Sequence, residues 1–298
     1  IQPSIFVTMK TMDTFSFAGK KALIRVDFNV PLNDAFQITD DTRIRAALPT
    51  IKKILENGGT VILMSHLGRP KNGPEEAFSL KHLVNHISNL LSVPVSFSEN
   101  CIGQEAISAT SNLKKGEVLL LENLRFHKEE TAGEEGFAKQ LSELGDVYVN
   151  DAFGTAHRAH ASTTVVARFF PENKMFGYLL AKEIESVDKV MTTAKKPVTA
   201  VMGGAKVSSK ISIISNLLDS VDHIIIGGGM SYTFAEALGG KVGSSLVEDD
   251  YLETAKNILS EAKKKGVKIH LPIDTIAGDA FDNNANKQTC DTKEIPDG

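Results

Sequence analysis

Basic and polar side chains follow the apolar runs in the first half of the chain, at the points where strands should end. The run ALIRV is followed by Asp27-Phe28-Asn29, and TVILM is followed by Ser65-His66-Leu67-Gly68-Arg69-Pro70. Arg125 follows EVLLLEN, and the stretch from Asp151 to His160, which follows DVYVN, contains Arg158. Arginine is suited to bidentate capture of phosphate or carboxylate. If these runs are neighbouring strands of one parallel sheet, the side chains converge and predict a site for a small, multiply charged anion.

Arg43 belongs to the same predicted edge, because it opens the first helix after the first strand. All seven arginines lie within the first 168 residues, although the net charge of the chain is −4. A single arginine after a strand is usually a surface residue, and His66 alone could be structural, so it is the repetition that favours a site. Asp27 and Asn29 could bind hydroxyl groups of the same ligand. The histidines elsewhere show no clustering and are interpreted as structural: His82, His86, His127, His223 and His270.

Glycine turns and lysines mark the second half. The run VTAVMGG ends at Gly203-Gly204, and IIIGGG ends at Gly227-Gly228-Gly229. Glycine lets a backbone come close to a ligand, and a helix N-terminus offers N–H groups to phosphate. Lys206 and Lys210 are four residues apart, which predicts that they share one face of a helix beginning at AKVSSK. The arrangement indicates a nucleotide-phosphate site, although neither GxxxxGK[ST] nor GxGxxG occurs.

Short apolar runs alternate with amphipathic helical runs along the chain. The predicted strands are ALIRV, TVILM, VPVSF, EVLLLEN and DVYVND, then PVTAVMGG, HIIIGGG and VKIHLP. Such alternation is typical of a parallel sheet covered by helices on both faces. The length of 298 residues suits two domains. We therefore predict an α/β fold of two doubly wound, Rossmann-like parallel-sheet lobes, at residues 1–175 and 196–298, joined by a hinge helix at 176–195.

Composition disfavours several other classes. Hydrophobic residues make up 42% and charged residues 23% of the chain, as in globular proteins. The net negative charge gives no electrostatic reason to bind nucleic acid, and no apolar run is long enough for a membrane span. Cys101 and Cys290 form neither a disulfide framework nor a zinc motif, which favours a reducing, cytoplasmic location. Without a clustered cysteine and histidine set, no metal ligands are predicted in the protein itself.

Six motifs, in this order, resemble those of the phosphoglycerate kinase family: RVDFNVP, SHLGRP, LENLRF, VNDAFGTAHRAH, GGAKVSSK and IIIGGGM. The resemblance extends from about Lys20 to the end of the chain. It implies reversible phosphoryl transfer between 1,3-bisphosphoglycerate and Mg-ADP, giving 3-phosphoglycerate and Mg-ATP in glycolysis. It also implies two lobes that close about a hinge, the N-terminal lobe holding the phosphoglycerate and the C-terminal lobe the nucleotide. We expect a monomer.

The same resemblance implies roles for individual residues. Arg43 and Lys206 match the arginine and lysine that act on the phosphoryl group being transferred. Arg69, Arg125 and Arg158, together with His66, match the family's basic patch for 3-phosphoglycerate. The substrate motifs as a whole contribute Asp27, Phe28, Asn29, Arg43, His66, Leu67, Gly68, Arg69, Arg125 and Arg158. The nucleotide motifs contribute Gly204, Lys206, Lys210, Gly228 and Leu246, with Mg²⁺ arriving on the nucleotide.

Departures from the family pattern leave an alternative open. The family continues for roughly a quarter more chain, with a tryptophan-containing segment, an acidic ribose contact and a GGGD-type turn, whereas this chain has no tryptophan. The second lobe is therefore expected to be incomplete and phosphoryl transfer by these 298 residues alone to be negligible. The alternative function is an anion-binding fragment that keeps the phosphoglycerate site without a competent nucleotide site. A Rossmann dehydrogenase is disfavoured, because GxGxxG and the acidic ribose residue are missing.

Overall fold

The computed structural model describes residues 10–71 and 73–298. Contacts divide the chain into two compact units, the first ending at Ser186 and the second starting at Val187. In the described part of the chain, no helix is both long enough and apolar enough to cross a lipid bilayer.

The first unit contains a six-stranded parallel sheet in the order β3-β4-β2-β1-β5-β6. The strands are β1 (Lys21–Val26), β2 (Thr60–Met64), β3 (Val95–Ser98), β4 (Val118–Leu121), β5 (Val147–Asp151) and β6 (Lys174–Phe176). On one side of β1 the sheet continues through β2 and β4 to β3 at the edge, and on the other side through β5 to β6. This is a doubly wound arrangement, as predicted, and it opens a crevice at the carboxyl ends of the central strands.

Helices cover both faces of this sheet. They are α1 (Thr42–Glu56), α2 (Val84–Leu91), α3 (Gly103–Asn112), α4 (Lys128–Ala132), α5 (Glu135–Ser142) and α6 (Phe153–Ala156). Alternate strand residues enter two separate cores: Ile24 and Leu63 pack on the side of α1 and α2, whereas Leu23 and Ile62 pack on the side of α3 and α5. Burial on both faces explains why these strands read as continuous apolar runs.

The second unit contains a smaller parallel sheet in the order β7-β8-β9. Its strands are β7 (Thr199–Gly203), β8 (His223–Gly227) and β9 (Lys268–His270), and an antiparallel pair is formed by β10 (Asp274–Gly278) and β11 (Lys287–Asp291). The division between the two units lies within α7 (Tyr178–Thr192). The helices that follow it in the second unit are α8 (Ile211–Leu217), α9 (Met230–Ala237) and α10 (Leu252–Lys264). Ile224 and Ile226 pack with residues of α9 and α10, while Val201 on the other face is 76% exposed.

A buried carboxylate fixes the start of α7. Asp151, the last residue of β5, accepts hydrogen bonds from the backbone N–H groups of Leu179 at 2.9 Å and Leu180 at 3.2 Å. Gly177 allows this approach, because a Cβ at that position would overlap Asp151. Burial raises the pKa of the Asp151 carboxyl, although the hydrogen bonds to it act in the opposite direction.

Replacing Asp151 tests this connection. In Asp151→Ala the two N–H groups lose their acceptor, and we expect the free energy of unfolding to fall by about 1–3 kcal/mol, the cost of leaving buried groups unsatisfied. Asp151→Asn keeps an acceptor oxygen and cannot ionise. Since the pKa of Asp151 is raised on folding, its stabilising contribution falls as the pH rises above the unfolded value of about 3.9. In urea unfolding from about pH 4 to pH 7, the free energy of unfolding of Asp151→Asn should rise relative to that of the wild type. A difference between the two that does not change with pH would contradict the raised pKa.

Candidate functional site

Four neighbouring strands deliver predicted residues to one edge of the first sheet. In the order β4-β2-β1-β5, the carboxyl ends lie side by side, and hydrogen bonds join the loops that follow. The Asn29 side-chain oxygen accepts from the Gly68 N–H at 2.8 Å, and the Arg125 guanidinium donates to the Gly68 carbonyl at 2.9 Å. The segments after β1, β2 and β4 therefore meet, as the strand-end pattern predicted.

Asp27 holds Arg43 at this edge. The Arg43 guanidinium donates to the Asp27 carboxylate at 3.0 Å, and the Arg43 side chain is 53% exposed. His66 Nδ1 lies 3.9 Å from the other oxygen of the same carboxylate. Arg43 is thus tethered at one point, and its exposure leaves the guanidinium accessible to a ligand.

A cleft of about 360 Å³ lies among the loops after β2, β4 and β5. It is lined by Arg69, Pro70, Arg125, His127, Lys128, Thr131, Arg158 and His160. Burial, followed by the nearby charges of Arg158 and Arg25, lowers the pKa of Arg125. Arg125 Nε and His160 Nδ1 are buried without hydrogen-bond partners in the described part of the protein. Crowded cations and unpaired polar groups both favour an anionic ligand.

His66 differs from the member of a basic patch that the resemblance implied. Its side chain is buried, and this burial, with the charge of Arg25, lowers its pKa to about 2. Arg125 and Arg43 act in the same direction. A charged imidazole would be a further cation among these arginines, so His66 is neutral in the free protein at neutral pH. In this state His66 offers a hydrogen bond, rather than a positive charge, to a ligand at the sheet edge.

Two of the predicted substrate residues turn their side chains inward. Phe28 is fully buried and Leu67 is 3% exposed, and both belong to the core on the α1 side of the sheet. The Phe28 N–H donates to Ser65 Oγ at 2.8 Å. Only the backbone of these residues can contact a ligand, while their side chains hold the loops in place.

Arg25 is part of this edge but was missed as a site residue. It lies within β1 and is 1% exposed. Its Nε donates to Ser162 Oγ at 2.8 Å, and its Nη2 lies 3.3 Å from His66 Nδ1. Arg25 lies inside its strand and not after it, and its sequence signal is the single charge within the apolar run ALIRV.

The glycine turns of the second unit lie side by side. Gly228 has a φ of +70°, and a Cβ there would lie 3.0 Å from the Gly204 carbonyl oxygen, so a larger residue would be strained. A Cβ at Gly229 would contact the Leu246 side chain, and one at Gly204 would contact Lys210. The structure therefore brings Gly204, Gly228, Lys210 and Leu246 together.

The helix expected at AKVSSK begins later than predicted. Because α8 starts at Ile211, Lys206 lies in an exposed loop and Lys210 directly precedes the helix, so the prediction that they share a helical face is wrong. Glu248 accounts for the difference. Its carboxylate accepts from the Ser208 N–H at 2.9 Å and from the Ser208 hydroxyl at 2.6 Å. These bonds satisfy Ser208 outside a helix and compete with helix formation.

The interpretation of the remaining histidines also needs correction. His223 and His270, 47 residues apart on the neighbouring strands β8 and β9, form a pair with Nδ1 and Nε2 separated by 2.9 Å. His127 lines the cleft described above. Neither arrangement has a local sequence signal, because the partners come from distant segments. Within residues 10–71 and 73–298, no group of three or more His, Cys, Asp or Glu side chains could hold a metal ion.

Comparisons of the sequence with known proteins point to one family. The phosphoglycerate kinase family model matches residues 12–298. The phosphoglycerate kinase of Porphyromonas gingivalis is 52% identical, covering 96% of this chain and 74% of its own length. That of Chloroherpeton thalassium is 51% identical, covering 97% and 72%. The chloroplastic phosphoglycerate kinase of Volvox carteri is 53% identical, covering 94% and 61%.

Solved structures agree with the sequence comparison. The structure of phosphoglycerate kinase from Coxiella burnetii matches with a TM-score of 0.78 and 37% identity, over 97% of this chain and 72% of that one. The crystal structure of phosphoglycerate kinase from Pyrococcus horikoshii OT3 matches with a TM-score of 0.81 and 31% identity, over 96% and 73%. The dehydrogenase alternative is thereby set aside.

The charge state of His66 can be measured directly. With a pKa of about 2, its imidazole resonances should stay constant between about pH 5 and pH 8, where an ordinary histidine with a pKa of about 6.5 titrates. A His66→Gln variant assigns the signals, since its spectrum lacks them. An inflection in that range would instead show that His66 is a charged member of the arginine cluster.

Proposed function

The chain belongs to the phosphoglycerate kinase family, and we propose that the edge of its first sheet binds 3-phosphoglycerate while the glycine turns of its second unit bind the nucleotide. The family's reaction is reversible phosphoryl transfer between 1,3-bisphosphoglycerate and ADP, giving 3-phosphoglycerate and ATP. The protein is accordingly a phosphotransferase of glycolysis. The residue roles that follow are our proposal.

The crowding of three arginines in one cleft carries the substrate assignment. The cleft is lined by Arg69, Arg125 and Arg158. Burial lowers the pKa of Arg125, and the charge of Arg158 is the next largest cause in the same direction. A phosphate group relieves this repulsion and can accept paired hydrogen bonds from each guanidinium. We assign the non-reacting phosphate of 3-phosphoglycerate to this cleft. Asp27 and Asn29, at the same sheet edge, are assigned to the substrate hydroxyl.

The reacting end of the substrate is assigned to Arg43. Phosphoryl transfer depends on positioning and on stabilising charge at the phosphoryl oxygens more than on covalent chemistry by the protein. Arg43 is held at one point by Asp27 and is otherwise exposed, so its other N–H groups can meet that charge. Lys206, in the exposed loop before α8, is assigned the corresponding role in the second unit.

The nucleotide is proposed to bind at the paired glycine turns and to bring Mg²⁺ with it. Lys210 lies beside Gly204, where its ammonium group can pair with phosphate oxygens. Gly228 lets the backbone approach the ligand, and Leu246, which is 48% exposed, offers it apolar surface. No side chain of this protein is proposed as a ligand of the metal.

We further propose a cytoplasmic monomer that binds neither nucleic acid nor membranes. The support is the net charge of −4 and the two cysteines, Cys101 and Cys290, which are both free thiols. One relative named above is chloroplastic, so the compartment varies within the family. The lobe limits at 1–175, 176–195 and 196–298 likewise remain our proposal.

Calorimetry distinguishes the kinase from an anion-binding fragment. We expect the protein to bind 3-phosphoglycerate, with sulfate competing for the arginine cleft. Arg125→Lys and Arg158→Lys should each weaken binding by about 1.5–3 kcal/mol, because a point charge does not replace a bidentate guanidinium. Binding of Mg-ADP as well supports the enzyme, whereas binding of 3-phosphoglycerate alone supports the fragment. An affinity that sulfate leaves unchanged would contradict the cleft assignment.

Measured in a version of the chain extended to the length of its relatives, Arg43→Ala should reduce turnover more than substrate binding. Losing one preorganised donor to the transferring group should lower kcat by roughly 10²–10³, with a small change in KM for 3-phosphoglycerate. Arg45→Ala is the matched control, since Arg45 lies on the same helix but pairs with Asp41 at 2.8 Å. A raised KM with normal kcat in Arg43→Ala would show that Arg43 only binds substrate.

A further inference from the structure

The proposed phosphoglycerate site continues inward as a chain of buried polar residues. Arg25 and Glu130 are each 1% exposed and Ser162 is fully buried. Glu130 accepts the Ser162 hydroxyl at Oε1 at 2.6 Å and the Ser162 N–H at Oε2 at 2.9 Å. Arg25 Nε donates to the same hydroxyl oxygen at 2.8 Å. A hydroxyl has one hydrogen to donate and two lone pairs that accept. The Ser162 hydroxyl therefore donates to the buried Glu130 carboxylate and accepts from the buried Arg25 guanidinium, and so links the two charges.

The outer end of Arg25 reaches His66. Arg25 Nη2 lies 3.3 Å from His66 Nδ1, and a guanidinium can only donate, so Nδ1 is the acceptor and Nε2 carries the hydrogen. The competing partner is Asp27, whose carboxylate is 3.9 Å from the same Nδ1. If Arg25 moved, this carboxylate would draw the hydrogen to Nδ1. The other titratable groups that face His66 are Arg43, Arg125 and His160.

We propose that Glu130 is a positioning residue, which acts through Ser162 and Arg25 to keep His66 in the tautomer that presents its Nε2–H to the substrate. The inference rests on the proposed function in taking His66 to face 3-phosphoglycerate. Glu130 itself is too deeply buried to touch a ligand. Its charge compensates Arg25, because a lone buried charge is far more costly than a paired one.

The same carboxylate also fixes the loop after β5. By accepting the Ser162 N–H, Glu130 holds the start of the turn at Ala161–Val165. The neighbouring Thr163 hydroxyl donates to the Arg158 carbonyl at 2.8 Å. Glu130 therefore helps to position both the neutral donor, His66, and Arg158, one of the arginines of the cleft.

NMR of the free protein tests the tautomer without any ligand. Long-range ¹H–¹⁵N spectra of the wild type should show His66 protonated at Nε2. Ser162→Ala removes the link but keeps both charges, and we expect the Nδ1–H tautomer to become populated. Ser162→Thr retains a hydroxyl and should retain the wild-type tautomer. A wild-type protein protonated at Nδ1 would overturn the proposal whatever the variants show.

Ser79 offers a matched control. Its hydroxyl donates to a second buried carboxylate, Glu122, at 2.6 Å, and its described hydrogen bonds involve neither Arg25 nor His66. Ser79→Ala should leave the His66 tautomer unchanged. If both serine variants change it equally, the cause is a general loss of stability and the proposal is wrong. Glu130→Gln serves as a second variant if Ser162→Ala does not fold, and it should populate the same Nδ1–H form.

Binding measurements connect the tautomer to the substrate. Ser162→Ala and Glu130→Gln should raise the Kd for 3-phosphoglycerate about tenfold, the factor expected for one hydrogen bond to a charged group. Ser79→Ala and Ser162→Thr should leave it near the wild-type value. An unchanged Kd in a variant whose tautomer has changed would overturn the proposal. Failure of the proposed function has a different signature. A wild-type protein that does not bind 3-phosphoglycerate would contradict the proposed function, while the NMR test of the tautomer, which needs no ligand, would be unaffected.

Discussion

Guanidinium groups held together at one sheet edge repel each other. In the first unit, contacts within the protein offset this repulsion before any ligand binds. Arg43 is paired with Asp27, and Arg125 donates to the Gly68 carbonyl. Arg25, the most deeply buried, is compensated by Glu130 through a serine hydroxyl. Each of these three cations is fixed by a partner within the protein, so little reorganisation of them is needed when an anion arrives. Electrostatic preorganisation of this kind is what phosphoryl transfer requires.

Carboxylates, two of them buried and one half-buried, also shape the loops that carry these charges. Glu122, Glu130 and Glu248 each accept a serine hydroxyl at 2.6 Å and a backbone N–H at 2.8–2.9 Å. Loops at strand ends have no ladder or helix to satisfy their backbone groups, and buried N–H groups need acceptors. A carboxylate from another segment supplies one. The same interaction thus occurs on both the proposed phosphoglycerate side and the proposed nucleotide side.

The sequence predicts those features that depend on local pattern. Doubly buried strands read as apolar runs, and strands that pair side by side place their following residues together, so the edge containing Asn29, Gly68 and Arg125 was predictable. The loop at Lys206 was not, because the carboxylate that holds Ser208 lies 40 residues away. The low pKa of His66 depends first on its burial and then on Arg25, Arg125 and Arg43, which come from three different segments. The roles assigned from the family resemblance to site residues remain predictions.

Asp151 links two segments that are 28 residues apart in sequence. It closes the strand that leads into the Arg158 loop, and its carboxylate also holds the first turn of α7. Opening either segment breaks the same bonds, so the two form part of one cooperative unit of local unfolding. In hydrogen exchange, the amide protons of Leu179 and Leu180 therefore report on the loop after β5. A ligand that stabilises that loop slows the exchange of both without touching either.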